Sequence, residues 1–79
     1  MKATPNEKAT SGHNRSVLLP GLRAARQRSA LTQRELSELA GIAKGTIWEL
    51  ETGRRGSYPR TVRRLTKALD TEISNLVKE

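Results

Sequence analysis

The side chains able to do chemistry in this sequence are cations. The chain has 79 residues and carries fifteen Lys and Arg against eight Asp and Glu, a formal net charge of +7. All but Lys2 and Lys8 fall between positions 15 and 78, so the excess belongs to the body of the chain and not only to a tail. A surplus this large exceeds what solubility needs and suits a polyanionic partner, nucleic acid ahead of an anionic membrane surface. Nucleophilic and metal chemistry have no candidate set: there is no Cys, and the single His13 can neither orient a nucleophile nor form a multi-histidine site. Glu35 and Glu38 stand three apart, a spacing common on any solvated helix face. The expectation is therefore no catalytic residue, no metal and no cofactor. The run Val17-Leu18-Leu19 is far too short to span a membrane, and no secretory signal can be built at the N-terminus. With a third of its residues apolar and only Trp48 and Tyr58 aromatic, the chain has little to spare for the walls of a substrate cleft.

Cations need elements to aim them. Residues 1–16 (MKATPNEKATSGHNRS) hold no large apolar residue after Met1 and cannot offset the entropy of ordering, so they are expected to be a disordered polar tail. Lys2, Lys8, His13 and Arg15 belong to it. Residues 17–79 then form one domain. Leu18/Leu19, Leu22, Ala25 and Arg26 fall at helical spacing, and Pro20 suits the first position of a first helix. Thr32 with Glu35 completes a T-x-x-E capping box for a second helix, with Leu36, Leu39 and Ala40 inward and Gly41 as its left-handed stop. A third helix runs over about 44–52 with Ile47, Leu50 and Glu51 inward, and Thr52-Gly53 ends it. The basic loop Arg54-Arg55-Gly56-Ser57 follows. Pro59 opens a fourth helix with Val62, Leu65, Ala68 and Leu69 as its inner stripe. Ile73, Leu76 and Val77 mark a short fifth. No segment alternates at period two, so no strand is expected, and the fold class is all-α: a compact five-helix bundle.

The stretch from Gln33 to Gly53, QRELSELAGIAKGTIWELETG, has the layout of a helix-turn-helix. Gly41 permits the sharp turn, Ser37 and Ala40 permit close approach, and Ile42, Ile47 and Leu50 pin the crossing by burial, each worth about 1.5–3 kcal/mol. The second helix of such a unit is held out from the body, where it can enter a major groove with its N-terminal residues at base edges. Lys44, at that exposed start, faces the duplex in this geometry. Pairing with guanine O6/N7 and contact with phosphate alone stand equally open for it.

In these residues the chain resembles the Cro and phage-repressor type helix-turn-helix, the xenobiotic-response-element family, with a lambda-repressor-like DNA-binding fold. The matching positions are Leu31-Thr32-Gln33, Glu35-Leu36, Leu39-Ala40-Gly41-Ile42, Thr46-Ile47, Leu50-Glu51 and Gly53, then Thr61-Val62 and Leu65-Thr66-Lys67-Ala68-Leu69. They extend the resemblance over about residues 18–77. It implies that Gln33 bonds a phosphate and braces the recognition helix. Lys44, Gly45 and, one turn on, Glu49 would stand at base-contacting positions, with Thr46 near the backbone at the groove edge. Arg54 and Arg55 would grip phosphates, and Arg26 with Glu51 would form a buried structural ion pair. Four departures stand out. Ala43 replaces the usual Ser or Thr cap of the third helix, at a cost of about 0.5–2 kcal/mol. Gly45 removes a side chain where many members read a base, Trp48 is large where the family is often small or polar, and Ser37 replaces a common Ala.

Some roles stay open at this point. Glu49 in a groove would be repelled by phosphates, which slightly favours a solvent-facing carboxylate that excludes wrong sequences or pairs with Arg34 or Lys44 over one accepting from cytosine N4. Trp48 falls on the outer phase of its helix, free to meet a thymine methyl, the sugar backbone, a neighbouring helix edge or a partner subunit. Arg60, Arg63, Arg64 and Lys67 read as a solvated face, with Arg60 set apart by its place beside the basic loop. The expected partner is double-stranded DNA, bound by a homodimer on an inverted repeat in a cytoplasmic setting, nucleoid or phage-encoded. The expected role is a transcriptional regulator, a repressor or autoregulator, with no ligand-sensing module inside these 79 residues. The rival is an antitoxin or adaptor that works through protein contacts with a toxin or co-regulator, anchored by Trp48 and Val77. A membrane-surface role is disfavoured, because each helix has one apolar stripe and the core consumes it.

Overall fold

A computed structural model describes residues 16–78. The polar tail, with Lys2, Lys8, His13 and Arg15, lies outside the described residues apart from Ser16. Among the described residues five helices follow in order: α1 (Leu22–Arg28), α2 (Gln33–Ala40), α3 (Lys44–Glu51), α4 (Pro59–Leu69) and α5 (Ile73–Val77). Among the described residues there is no strand. A single antiparallel bridge joins Val17 to Ser57 through two backbone hydrogen bonds of 2.8 Å each.

Every helix feeds one core, made of Leu19, Leu22, Ala25, Leu36, Ala40, Ile47, Leu50, Val62, Leu65, Leu69 and Leu76. Leu31, Ile42 and Ala68 pack against its edge half-buried. Periodicity places Leu39 inside, yet it is 62% exposed. The reason is angular. At about 100° per residue, Leu36, Ala40, Gln33 and Ser37 occupy one arc of α2, and Leu39 falls about 60° outside it. On α5 only Leu76 is buried, while Ile73 and Val77 stay exposed, because five residues present little more than one turn to the core. Among the described residues no helix is long and apolar enough to cross a membrane.

The first helix begins two residues later than Pro20 suggests. Leu22 N–H donates to Leu19 O at 3.1 Å, so Pro20 sits second in a tight turn, where its fixed φ also fits. Gly21 is buried at the end of this turn and donates to Leu76 O at 2.7 Å. A Cβ there would run into the carbonyl oxygens of Asn75 and Lys78, so only glycine lets α5 close over the start of α1.

The capping box of α2 forms as its spacing predicts: Glu35 N–H donates to Thr32 Oγ1 at 3.0 Å, and Thr32 N–H to Glu35 Oε1 at 2.9 Å. Gly41 ends α2 at φ 69°, and the space beside its Cα is empty, so its requirement is conformational and not steric. At the end of α1 the same left-handed position is filled by Ala30, φ 58°. There Ala30 N–H donates to Gln27 O and Leu31 N–H to Arg26 O, the two bonds of a Schellman stop.

Candidate nucleic-acid interface

The helix that must project does so. Ile47 and Leu50 are sealed against the core, while Ala43, Lys44, Gly45 and Trp48 are exposed and Thr46 and Glu49 are half-buried. Ala43 precedes α3 with no side-chain cap, so the first-turn N–H groups lack that acceptor. Nothing lies within 4 Å of where a Gly45 Cβ would stand, so the outer surface of this turn is open backbone. Lys44 extends from it with no hydrogen bond or ion pair among the described residues.

Behind this face the orientation of α3 is fixed by a polar node. Arg26 Nε donates to Glu51 Oε2 at 2.5 Å and Arg26 Nη2 to Glu51 Oε1 at 3.0 Å, with side-chain exposures of 11% and 3%. The third guanidinium nitrogen, Nη1, donates to Leu31 O at 2.8 Å, on the turn that follows Ala30. Gln33 Nε2 donates to Glu51 Oε1 at 3.1 Å. One carboxylate thus ties the end of α3 to α1 and to the first residue of α2. The hydrogen bond to Glu51 raises the Arg26 pKa above its ordinary value; burial opposes this and the carboxylate's charge adds to it. While Glu51 is ionised, a raised arginine pKa stabilises the fold below the unfolded value, and that contribution fades as pH climbs through the folded one.

After Gly53, at φ 77°, the basic loop folds back on α3. Arg54 N–H donates to Glu49 O at 2.9 Å, and the Arg54 guanidinium lies 4.8 Å from the centre of the Trp48 ring. Arg55 Nη1 reaches Glu49 Oε1 at 3.0 Å. The expected partners of Glu49, Arg34 and Lys44, are not the ones it takes. Arg34 instead lies 3.6 Å from Glu38, one turn along its own helix, whereas the reversal at Gly53 brings Arg55 back to Glu49. The far end of the loop is pinned by the Val17–Ser57 bridge, and a Cβ on Gly56 would press on Ser16 at 3.0 Å. Arg60, second residue of α4, is exposed and is not joined to this cluster by any hydrogen bond or ion pair among the described residues.

Two features had no sequence signal. Periodicity does not report the bridge that holds the loop, because it is one residue long on each side. Arg64 reads as part of a solvated face, yet its Nη1 donates to Gly41 O at 3.4 Å and steadies the turn between α2 and α3.

Residues 21–76 match the family described as a helix-turn-helix domain. The fold is similar to the restriction-modification controller protein C.AhdI from Aeromonas hydrophila, with TM-score 0.68 and 30% identity over 72% of this chain and 86% of that one. It is also similar to the clp gene regulator ClgR from C. glutamicum, with TM-score 0.67 and 28% identity over 72% of this chain and 74% of that one. No curated protein matches the chain at a significant level.

Proposed function

The chain belongs to the helix-turn-helix domain family, and from that premise we propose that it is a sequence-specific DNA-binding regulator of transcription that lays α3 in the major groove. Its all-α, lambda-repressor-like fold is shared with a restriction-modification controller and a clp gene regulator, which supports this reading. The observation that carries it is the split character of α3. One side is sealed by Ile47 and Leu50, and the other exposes Lys44 and Gly45, with Ala43 just before them, and Trp48 beside Arg54 of the basic loop.

Lys44 supplies the cation at the point where base edges come within reach, and Gly45 lets backbone approach closely. Thr46 lies toward the groove edge. The amide nitrogen of Gln33 spends one hydrogen on Glu51 and keeps a second for a phosphate. Arg54 and Arg60 follow the DNA backbone, and Arg55, bonded to Glu49 through one nitrogen, keeps its remaining N–H groups for it. The assembly is a homodimer that occupies an inverted-repeat operator and blocks it, in the cytoplasm with the nucleoid.

Selection of bound duplexes from a random pool tests this. The reading requires enrichment of an inverted repeat whose half-sites lie about one helical turn apart. A pool that stays random after repeated rounds contradicts it.

A further inference from the structure

Trp48 is the largest side chain on the outer face of α3, 44% exposed. The Arg54 guanidinium lies over its ring, 4.8 Å from the ring centre. The geometry holding that contact is fixed from both ends. Gly53 turns the chain in a left-handed conformation, Arg54 N–H is bonded to Glu49 O, and the Val17–Ser57 bridge anchors the loop beyond. The neighbouring pair repeats the arrangement with different chemistry, Glu49 holding Arg55. Consecutive residues of α3 therefore hold consecutive arginines of the loop.

The two holds differ in what they leave free. A carboxylate competes with phosphate for the same N–H groups and neutralises the charge a phosphate would meet. An aromatic ring carries no formal charge to neutralise the guanidinium, and Arg54 makes no side-chain hydrogen bond or ion pair among the described residues, so its charge and N–H groups stay available. A long arginine otherwise loses rotamer freedom on reaching a phosphate, and a platform that orders it beforehand removes part of that cost.

We propose that Trp48 is the positioning residue for Arg54: the indole reads no base but aims the guanidinium at the phosphate strand beside the groove that α3 enters. This rests on the DNA-binding reading and assigns a task within it. Trp48 then raises affinity for every sequence alike and acts only while Arg54 is present.

The test is a double-substitution cycle on the full chain, with Trp48→Leu, Arg54→Gln and the pair, measured by anisotropy on selected and random duplexes across salt concentrations. Thermal melts confirm that each variant folds. Trp48→Leu is expected to weaken both duplexes by about two- to fivefold, the range of an exposed cation–π contact. Trp48→Phe should restore most of the loss, and Trp48→Leu should change nothing further once Arg54 is Gln. A loss that persists in the Arg54→Gln background means that Trp48 touches DNA itself and overturns the proposal. So does a loss confined to the selected duplex, which would mark base reading. Failure of the unsubstituted chain to bind any duplex overturns the DNA-binding reading and this assignment together; an additive cycle on a chain that binds overturns this assignment alone.

Discussion

Arg26 and Glu51, 25 residues apart in sequence, meet through two hydrogen bonds with their side chains almost wholly removed from solvent. The pair joins the helix that begins the core to the end of the helix that projects from it. Its value lies in orientation, because the same node also holds Leu31 O and the Gln33 amide. Removing one partner strands the other. Glu51→Gln or Arg26→Met alone should lower stability by about 3–5 kcal/mol in urea unfolding. The double change Arg26→Met/Glu51→Leu should recover most of that, since well-packed apolar residues of similar size often replace a buried pair without loss. A double variant as unstable as the singles would show that the pair does more than satisfy itself.

The left-handed stops of α1 and α2 predict opposite responses. Ala30 occupies φ 58° with a Cβ, so Ala30→Gly should raise stability by about 1 kcal/mol. Gly41 occupies φ 69° with open space around it, so Gly41→Ala should lower stability by about 1–2 kcal/mol. Paired melts of the two variants check both signs at once.

Glu49, on the outer half of α3, has its carboxylate engaged by Arg55. Glu49→Gln frees that arginine and removes a charge that repels phosphate. Binding should tighten on selected and random duplexes alike, and the salt slope should steepen by up to about one unit. A loss limited to the selected duplex would instead assign Glu49 to a cytosine amino group.

Lys44 separates the two contacts left open for it. If it reads a base, Lys44→Ala costs about 1–3 kcal/mol and relaxes preference at one base pair. If it meets only phosphate, the cost is equal on all sequences and the salt slope falls by about one unit. Titrations on the selected duplex and on single-position variants of it decide between them.

Much of this fold is legible in the chain because its signals are local. Thr32 and Glu35 announce the start of α2, Gly41 its end and Pro59 the start of α4, each through the conformation or the bond its side chain supplies. The positions that mislead are those set by tertiary geometry. Leu39 matches helical spacing and still falls off the buried arc. Pro20 looks like a helix start but serves the turn before it, because α5 closes over Gly21. At the interface, the residues facing outward follow from the helical phase of Ile47 and Leu50. What Trp48 and Glu49 hold does not, since it depends on how the chain reverses at Gly53 and on a bridge of single residues, Val17 with Ser57. Arg64 shows the same limit: nothing in its sequence neighbourhood points to the carbonyl of Gly41, 23 positions away.

The central claim is that the outer face of α3 lies in the major groove. Methylation protection on the selected duplex tests it directly, because guanine N7 opens onto the major groove and adenine N3 onto the minor groove. The account predicts protection of guanine N7 in each half-site while adenine N3 stays reactive. Protection of adenine N3 with guanine N7 left reactive would contradict it.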